Sequence, residues 1–221
     1  MMIERFMMDD AHPAPTPYES GTRLSKLQSP DKPDHQVVKS YQQLVGALMW
    51  TATLTRPDIA YAVNQCARFM ANPGPVHVAA AKRILRYLKG TKGMKLTYSR
   101  SESGGNVLTA YADADHAGDP DTRRSVTGMI IMMNGGAISW QSARQHVTAL
   151  STAEAEYYAA SVAGVEITYM RRILEEMGYS QHGPTVTYED NMACIYMSRT
   201  SVMYHKARHI DTRVYRLRLQ R

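Results

Sequence analysis

The chain has 221 residues, of which 44% are hydrophobic and 21% charged, a balance typical of a globular protein with a substantial core. No apolar run approaches the roughly 18 residues of a membrane-spanning helix, and the N-terminus lacks the apolar stretch of a secretory signal. We therefore expect neither a membrane span nor secretion by a signal peptide. The net charge of +6 suits a polyanionic partner but does not prove one.

The first 40 residues are predicted to be a Pro-rich arm. Residues 9–36 contain five prolines, which exclude a regular helix or a central strand. At the start of this arm Met7-Met8-Asp9-Asp10 resembles a polymerase signature, whose paired acids need a tight hairpin between apolar strands. Because AHPAPTP follows immediately, no return strand can form, and we expect no polymerase active site here.

Residues 41–100 are predicted to be mainly helical. Apolar residues recur at helical spacing from Tyr41, again over 58–70, and in a third helix that ends at Gly90. The third helix also has a basic side, formed by Lys82, Arg83, Arg86 and Lys89. A solvated face is the default explanation of such a stripe, and a surface facing nucleic acid is the alternative.

Residues 106–221 change to a mixed pattern. Strands are predicted over 107–114, 128–133, 137–141 and 185–188, with Asn134-Gly135 as a hairpin turn between the second and third. A long helix is predicted over 152–177, opened by a capping box at Ser151 and Glu154 and ended by Gly178. Shorter helical runs begin at Met192 and near His209. The order of elements predicts a mixed α/β domain.

Three acids of this domain stand where acids are unexpected. Asp113 lies in an apolar strand context, Glu156 lies among alanines on the long helix, and Asp190 ends a strand. A charge among apolar residues must be paired, protonated or bound to metal, and oxygen ligands from several elements suit Mg²⁺ or Mn²⁺. Two such ions about 3.5–4 Å apart can activate water and stabilise the leaving oxygen of a phosphodiester.

Each acid also has an ordinary interpretation. Asp113 fits a turn, Glu156 fits a salt bridge, and Asp190 with Asn191 fits a helix cap. The three together, in order on strand, helix and strand, favour a metal site. The two cysteines, Cys66 and Cys194, are predicted to be buried core residues in a reducing compartment.

Three motifs carry a resemblance to a known family: YADADHAGDPDTRRSVTG, GGAISWQSARQHVTALSTAEAEY and YEDNMACI. They resemble the ribonuclease H domain of copia-type LTR-retrotransposon Pol polyproteins. The segments MIERFMMDDAHPAPTPYESGTRL, YQQLVGALMWTATLTRPDIAYAVNQCARFM and HVAAAKRILRYLKGTKGMKLTYS resemble the end of the reverse transcriptase, with its thumb and connection. The resemblance therefore covers essentially the whole chain.

The resemblance implies a ribonuclease H-like mixed sheet over 106–221. Asp113, Glu156 and Asp190 match the first three metal-binding acids of that family. The implied substrate is the RNA strand of an RNA–DNA hybrid, and the implied partner is the remainder of the Pol polyprotein. The implied location is the cytoplasm, within a virus-like particle, or the nucleus.

The sequence departs from the family pattern in several places. The fourth acid of such a site lies on a final helix after a fifth strand, and the sequence ends at Arg221 before either, so both are expected to be missing. Asp211 fits a helix N-terminus better than a metal ligand, whereas Asp115 shares a strand face with Asp113. Both are second-rank metal ligands. Glu189 adds an acid beside Asp190 where a small or thiol residue is usual, which predicts a raised carboxylate pKa.

Basic residues outside the third helix are further candidates for contact with phosphates. Arg123 and Arg124 fit either a phosphate contact or a surface turn, and Lys206 and Arg208, with His205 and His209, fit either a basic loop or a solvent-exposed one. The first hypothesis for the chain is thus a metal-dependent endonuclease acting on hybrids. The alternative is a truncated, inactive remnant of the element that only binds nucleic acid.

Overall fold

A computed structural model describes residues 2–100 and 106–199 of the chain. Predictions about His205, Lys206, Arg208, His209 and Asp211 lie outside these residues. The described helices are α1 (Met2–Arg5), α2 (His35–Leu54), α3 (Ala60–Ala67), α4 (Pro75–Gly90), α5 (Thr152–Glu176) and α6 (Met192–Arg199). The described strands are β1 (Leu108–Asp115), β2 (Val126–Met133), β3 (Gly136–Arg144) and β4 (Val186–Tyr188). No described helix is long and apolar enough to cross a membrane.

The chain forms two compact units. The first contains the residues up to Leu96 together with Asp119–Asp121, and the second contains Thr97–Gly118 and the described residues from Thr122 onward. The first unit is helical, and the second holds the sheet. An α/β architecture with a mixed sheet, as the sequence predicts, is therefore present in the second unit.

The core of the first unit lies between α2, α3 and α4. The predicted apolar stripe of α2 is buried at Val45 and Leu48, both at 0% exposure, but Met49 of the same stripe is 45% exposed. Ile84 and Leu85 of α4 are also buried. Cys66 is a free, buried cysteine in the same core, as predicted. Burial raises the pKa of its thiol to about 12, so it is not a reactive thiolate.

Two helix boundaries in this unit differ from the prediction. Helix α2 begins at His35 rather than Tyr41, because the Asp34 carboxylate caps it and accepts hydrogen bonds from the amides of Gln36 (2.8 Å) and Val37 (3.3 Å). The predicted helix over 58–70 is shorter, because a 3-10 turn at Pro57–Ile59 precedes α3. In both cases local hydrogen bonds set the helix boundary, which the spacing of apolar residues does not determine.

The sheet of the second unit has the strand order β3-β2-β1-β4. Strands β1, β2 and β3 are antiparallel neighbours, and β4 pairs with β1 in parallel. The predicted turn between β2 and β3 is confirmed, with positive φ angles of 54° at Asn134 and 79° at Gly135. The parallel pairing of β4 requires a crossover, which the long helix α5 provides.

Helix α5 covers one face of this sheet. Small residues on both elements, such as Ala112 of β1 and Ala159 of α5, let the helix approach closely. Its predicted terminator is confirmed, since Gly178 has a φ of +85°. The predicted capping box is only half formed: the Ser151 hydroxyl accepts from the Glu154 amide, but the Glu154 carboxylate accepts from the Leu150 amide instead of that of Ser151.

Candidate metal centre

The three acids come together because of the pairing between β1 and β4. The parallel register places Tyr111 opposite Tyr188. Asp113 and Asp190 each follow two residues later, so the register sets their backbones side by side. Glu156 is in the second turn of α5, the helix that packs on β1 and β2.

One carboxylate oxygen from each of Asp113, Glu156 and Asp190 lies within 4.8 Å of the other two. The group combines a buried acid with two exposed ones, since Glu156 is 4% exposed while Asp113 and Asp190 face solvent. The expectation that Asp113 lies among apolar side chains is therefore wrong. Strand alternation turns its apolar neighbours, Ala112 and Ala114, toward α5 and leaves Asp113 on the opposite face.

Glu156 is the electrostatically strained member of the group. Burial, followed by the negative charges of Glu189, Asp113 and Asp190, raises its pKa from 4.5 to about 7, although a hydrogen bond from the Ala114 amide acts in the opposite direction. Its Oε2 atom is buried and has no hydrogen-bond partner. A divalent cation would neutralise this repulsion and satisfy the orphaned oxygen.

Glu189 adds a fourth acid at this end of the sheet. Its Oε1 accepts a hydrogen bond from the Asn191 amide (3.0 Å), and its Oε2 is buried without a partner. Burial, then the nearby charges of Asp190 and Asp113, raises its pKa. The pKa values of Glu156 and Glu189 are thus raised, as the sequence predicts for a carboxylate at this extra acid. Cys194 of α6 is a buried, free cysteine beside Glu189.

The structure contradicts two of the ordinary interpretations of the three acids and bears out the helix cap for Asn191 alone. Asp113 lies inside β1 rather than in a turn. Asn191, not Asp190, caps α6, with its Oδ1 accepting from the Cys194 amide at 3.0 Å. Among the described residues, Glu156 makes no ion pair. All the donors are carboxylate oxygens, which fits Mg²⁺ or Mn²⁺.

Asp115, the second-rank ligand, is not part of the group of three. It does share the exposed face of β1 with Asp113. Its carboxylate, however, packs on the turn that follows the strand, where a Cβ placed on Gly118 would fall 2.1 Å from the Asp115 Oδ2. The alternation of the strand was predicted correctly, but the turn that directs the side chain was not.

Most of the basic candidates on α4 contact the N-terminal arm. Arg86 donates from Nε to the His12 carbonyl (2.6 Å), Lys89 donates to the carbonyls of Asp9 and Ala11, and Arg83 donates to Thr16 Oγ1 (3.1 Å). Sequence reasoning missed these contacts, because backbone carbonyl acceptors leave no signature in the residue types. The role of these cations toward nucleic acid stays a prediction.

The remaining basic candidates within the described residues are more accessible. Lys82 and Arg123 are exposed, and Arg124 is half-buried. Arg123 has a positive φ of 56°, in keeping with the predicted surface turn between β1 and β2. The role of these three residues toward phosphate stays a prediction.

Comparison with known proteins gives the chain a family. It is 42% identical over 220 residues to the retrovirus-related Pol polyprotein from transposon TNT 1-94 of Nicotiana tabacum, a match that covers 98% of the chain and 16% of that polyprotein. It is 36% identical over 216 residues to the polyprotein from transposon RE1 of Arabidopsis thaliana, of which it spans 14%. No family model and no solved structure matches the chain.

A relative of another kind matches a shorter region. The secreted RxLR effector protein 161 of Plasmopara viticola is 43% identical over 130 residues, which are 59% of this chain and 90% of that protein. The long matches to both transposon polyproteins nevertheless cover nearly the whole chain. The chain belongs to the family of retrovirus-related Pol polyproteins of copia-type transposons.

Proposed function

We propose that the second unit is a divalent-metal-dependent ribonuclease H that hydrolyses the RNA strand of RNA–DNA hybrids. The observation that carries this proposal is the convergence of Asp113, Glu156 and Asp190 within 4.8 Å of one another. Three antiparallel strands, a covering helix and a parallel fourth strand support a ribonuclease H-like fold around them. Membership in a Pol polyprotein family supports the hybrid as the substrate.

The three acids have different roles in this proposal, which follow from their exposure to solvent. Asp113 and Asp190 face solvent, so a phosphate of a bound strand can approach the oxygens that they present. Glu156 of α5 is buried, and the Ala114 amide of β1 holds its carboxylate against the strand. A bound Mg²⁺ or Mn²⁺ would supply charge stabilisation for the attack of water on the scissile phosphate.

The proposed reaction requires no nucleophile from the protein, in which the three acids serve to hold the metal. The reaction is a displacement at phosphorus in which a water oxygen loses a proton and bonds to the phosphate, while the bond to the leaving sugar oxygen breaks and that oxygen takes up a proton from solvent. The chain must therefore position the phosphate and balance its charge more than act as a nucleophile. The buried thiol of Cys194, whose pKa is raised to about 12, is unsuited to nucleophilic attack.

The test is cleavage of a hybrid labelled on its RNA strand. With Mg²⁺ the chain should cut the hybrid and leave duplex DNA of the same sequence intact, and Asp113→Asn should lose at least about 100-fold in rate. Glu176→Gln, which removes an exposed acid at the end of α5, is the matched control. Equal cutting by the wild-type chain and Asp113→Asn would refute the proposal, and hybrid binding without cutting would favour the inactive alternative.

A further inference from the structure

Glu189 differs from the other acids of the centre in the face of the sheet that it occupies. Continuing the register of Tyr111 and Tyr188 by one residue sets Glu189 beside Ala112, whose side chain is buried against α5. Asp113 and Asp190 lie one residue further, on the exposed face. Glu189 therefore points toward α5 and α6, the side from which Glu156 enters the centre.

Two oxygens on that side are buried and unsatisfied. Glu156 Oε2 and Glu189 Oε2 both lack a hydrogen-bond partner, and Glu156 as a whole is only 4% exposed. The two carboxylates also repel each other. An unpaired anionic oxygen inside a protein is costly, and two neighbouring ones are costlier, unless a cation lies with them.

The other oxygen of Glu189 is already committed. Glu189 Oε1 accepts the hydrogen bond of the Asn191 amide at 3.0 Å, at the entry to α6. This hydrogen bond holds the carboxylate in place and leaves Oε2 as its oxygen that can bind a metal ion. Glu189 does not belong to the group of three that converges within 4.8 Å, so its free oxygen is available to a cation other than the one that this group would bind.

We propose that Glu189 is a metal ligand of this chain, binding through Oε2 a second divalent cation that it shares with Glu156. The inference rests on the proposed function, because it requires that Asp113, Glu156 and Asp190 bind a first cation. Glu189 would then provide a carboxylate from the strand end next to Asp190, rather than from a later helix. A substitution at this position should change cation stoichiometry without disturbing the first site.

The experiment counts Mn²⁺ ions bound to the whole chain, using the electron paramagnetic resonance signal of the free ion. The wild-type chain and Glu176→Gln should each bind two ions, whereas Glu189→Gln should bind one with an affinity within about threefold of the wild-type first site. Thermal unfolding without metal provides a second readout. There Glu189→Gln should raise Tm by about 2 °C, since a like-charge repulsion is removed.

The outcomes separate this inference from the proposed function. The second site would be overturned if Glu189→Gln binds two ions or if the wild-type chain binds a single ion. In either case the first site still stands if Asp113→Asn weakens Mn²⁺ binding. Unchanged Mn²⁺ binding in Asp113→Asn would overturn the metal centre as a whole. A Glu189→Gln chain with lowered Tm in the absence of metal would show that Glu189 has a purely structural role, contrary to the inference.

Discussion

The rings of Tyr111 and Tyr188 stack on neighbouring parallel strands, with their centroids 4.8 Å apart and an angle of 20° between their planes. Both side chains are about half exposed, so the pair contributes little to the core of the second unit. Its position is informative, because each tyrosine precedes an acid of the candidate metal centre by two residues. The stacking of the two rings stabilises the pairing of the short strand β4 with β1 next to Asp113 and Asp190.

Tyr188→Ala should therefore weaken the candidate metal centre, although Tyr188 is not one of its three acids. Loss of the stacked pair is expected to cost about 1 kcal/mol of unfolding free energy and to weaken Mn²⁺ binding several-fold, because Asp190 is held less firmly beside Asp113. Calorimetric titration with Mn²⁺ measures the effect. Tyr188→Phe, which keeps the ring, is the control, and an equal loss of affinity in both variants would contradict the stacking explanation.

Glu156 predicts how stability depends on pH in the absence of metal. Its pKa is raised from 4.5 to about 7 on folding, so between these values the folded chain keeps a proton that the unfolded chain has lost. Stability should thus fall as the pH rises from about 4.5 to about 7, and the loss should be complete above that. Glu156→Gln should remove this dependence and raise Tm at pH 8 by about 2–4 °C.

The same titration has a consequence for metal binding. Protons compete with the cation for Glu156, so Mg²⁺ affinity should rise with pH up to about 7 and then level off. Thermal unfolding at pH 6 and pH 8, with and without Mg²⁺, measures this. A stabilisation by Mg²⁺ that is equal at both pH values would show that Glu156 does not titrate in this range.

Two glycines of the first unit should respond in opposite directions to alanine. A Cβ at Gly74, the residue before α4, would lie 1.9 Å from the Gln28 carbonyl oxygen, so Gly74→Ala should cost about 1–3 kcal/mol. Gly46 lies inside α2 with nothing within 4 Å of a Cβ, so Gly46→Ala should stabilise by up to about 1 kcal/mol. Urea unfolding of both variants tests the two signs, and destabilisation by Gly46→Ala would contradict the packing described.

The contacts between α4 and the arm predict a change in proteolysis. Replacing Arg86 and Lys89 together by alanine removes the donors to three arm carbonyls, so chymotrypsin should cut after Tyr18 several-fold faster. Lys82→Ala, on the same helix but exposed, should leave the rate unchanged. Equal rates in all three proteins would mean that these hydrogen bonds do not hold the arm.

The sequence was sufficient for features that depend on local pattern or on strong chemical contrast. The Asn134-Gly135 turn follows from residue type, and the choice of the three acids follows from their order on strand, helix and strand together with the family motifs. The start of α2 was less accessible, because the side chain of Asp34 rather than apolar spacing sets it. The burial of Glu189 Oε2 depends on α5 and α6 packing over the strand end, which single-residue patterns do not encode.

Single-turnover cleavage of the RNA strand in a labelled RNA–DNA hybrid tests the central claim most directly, with Mg²⁺ titrated against the wild-type chain and Asp113→Asn. The trio of Asp113, Glu156 and Asp190 predicts Mg²⁺-dependent cutting by the wild-type chain and a loss of at least about 100-fold in the variant. Cutting by both proteins at the same rate, or cutting by the wild-type chain that is unaffected by chelation of Mg²⁺, would contradict it.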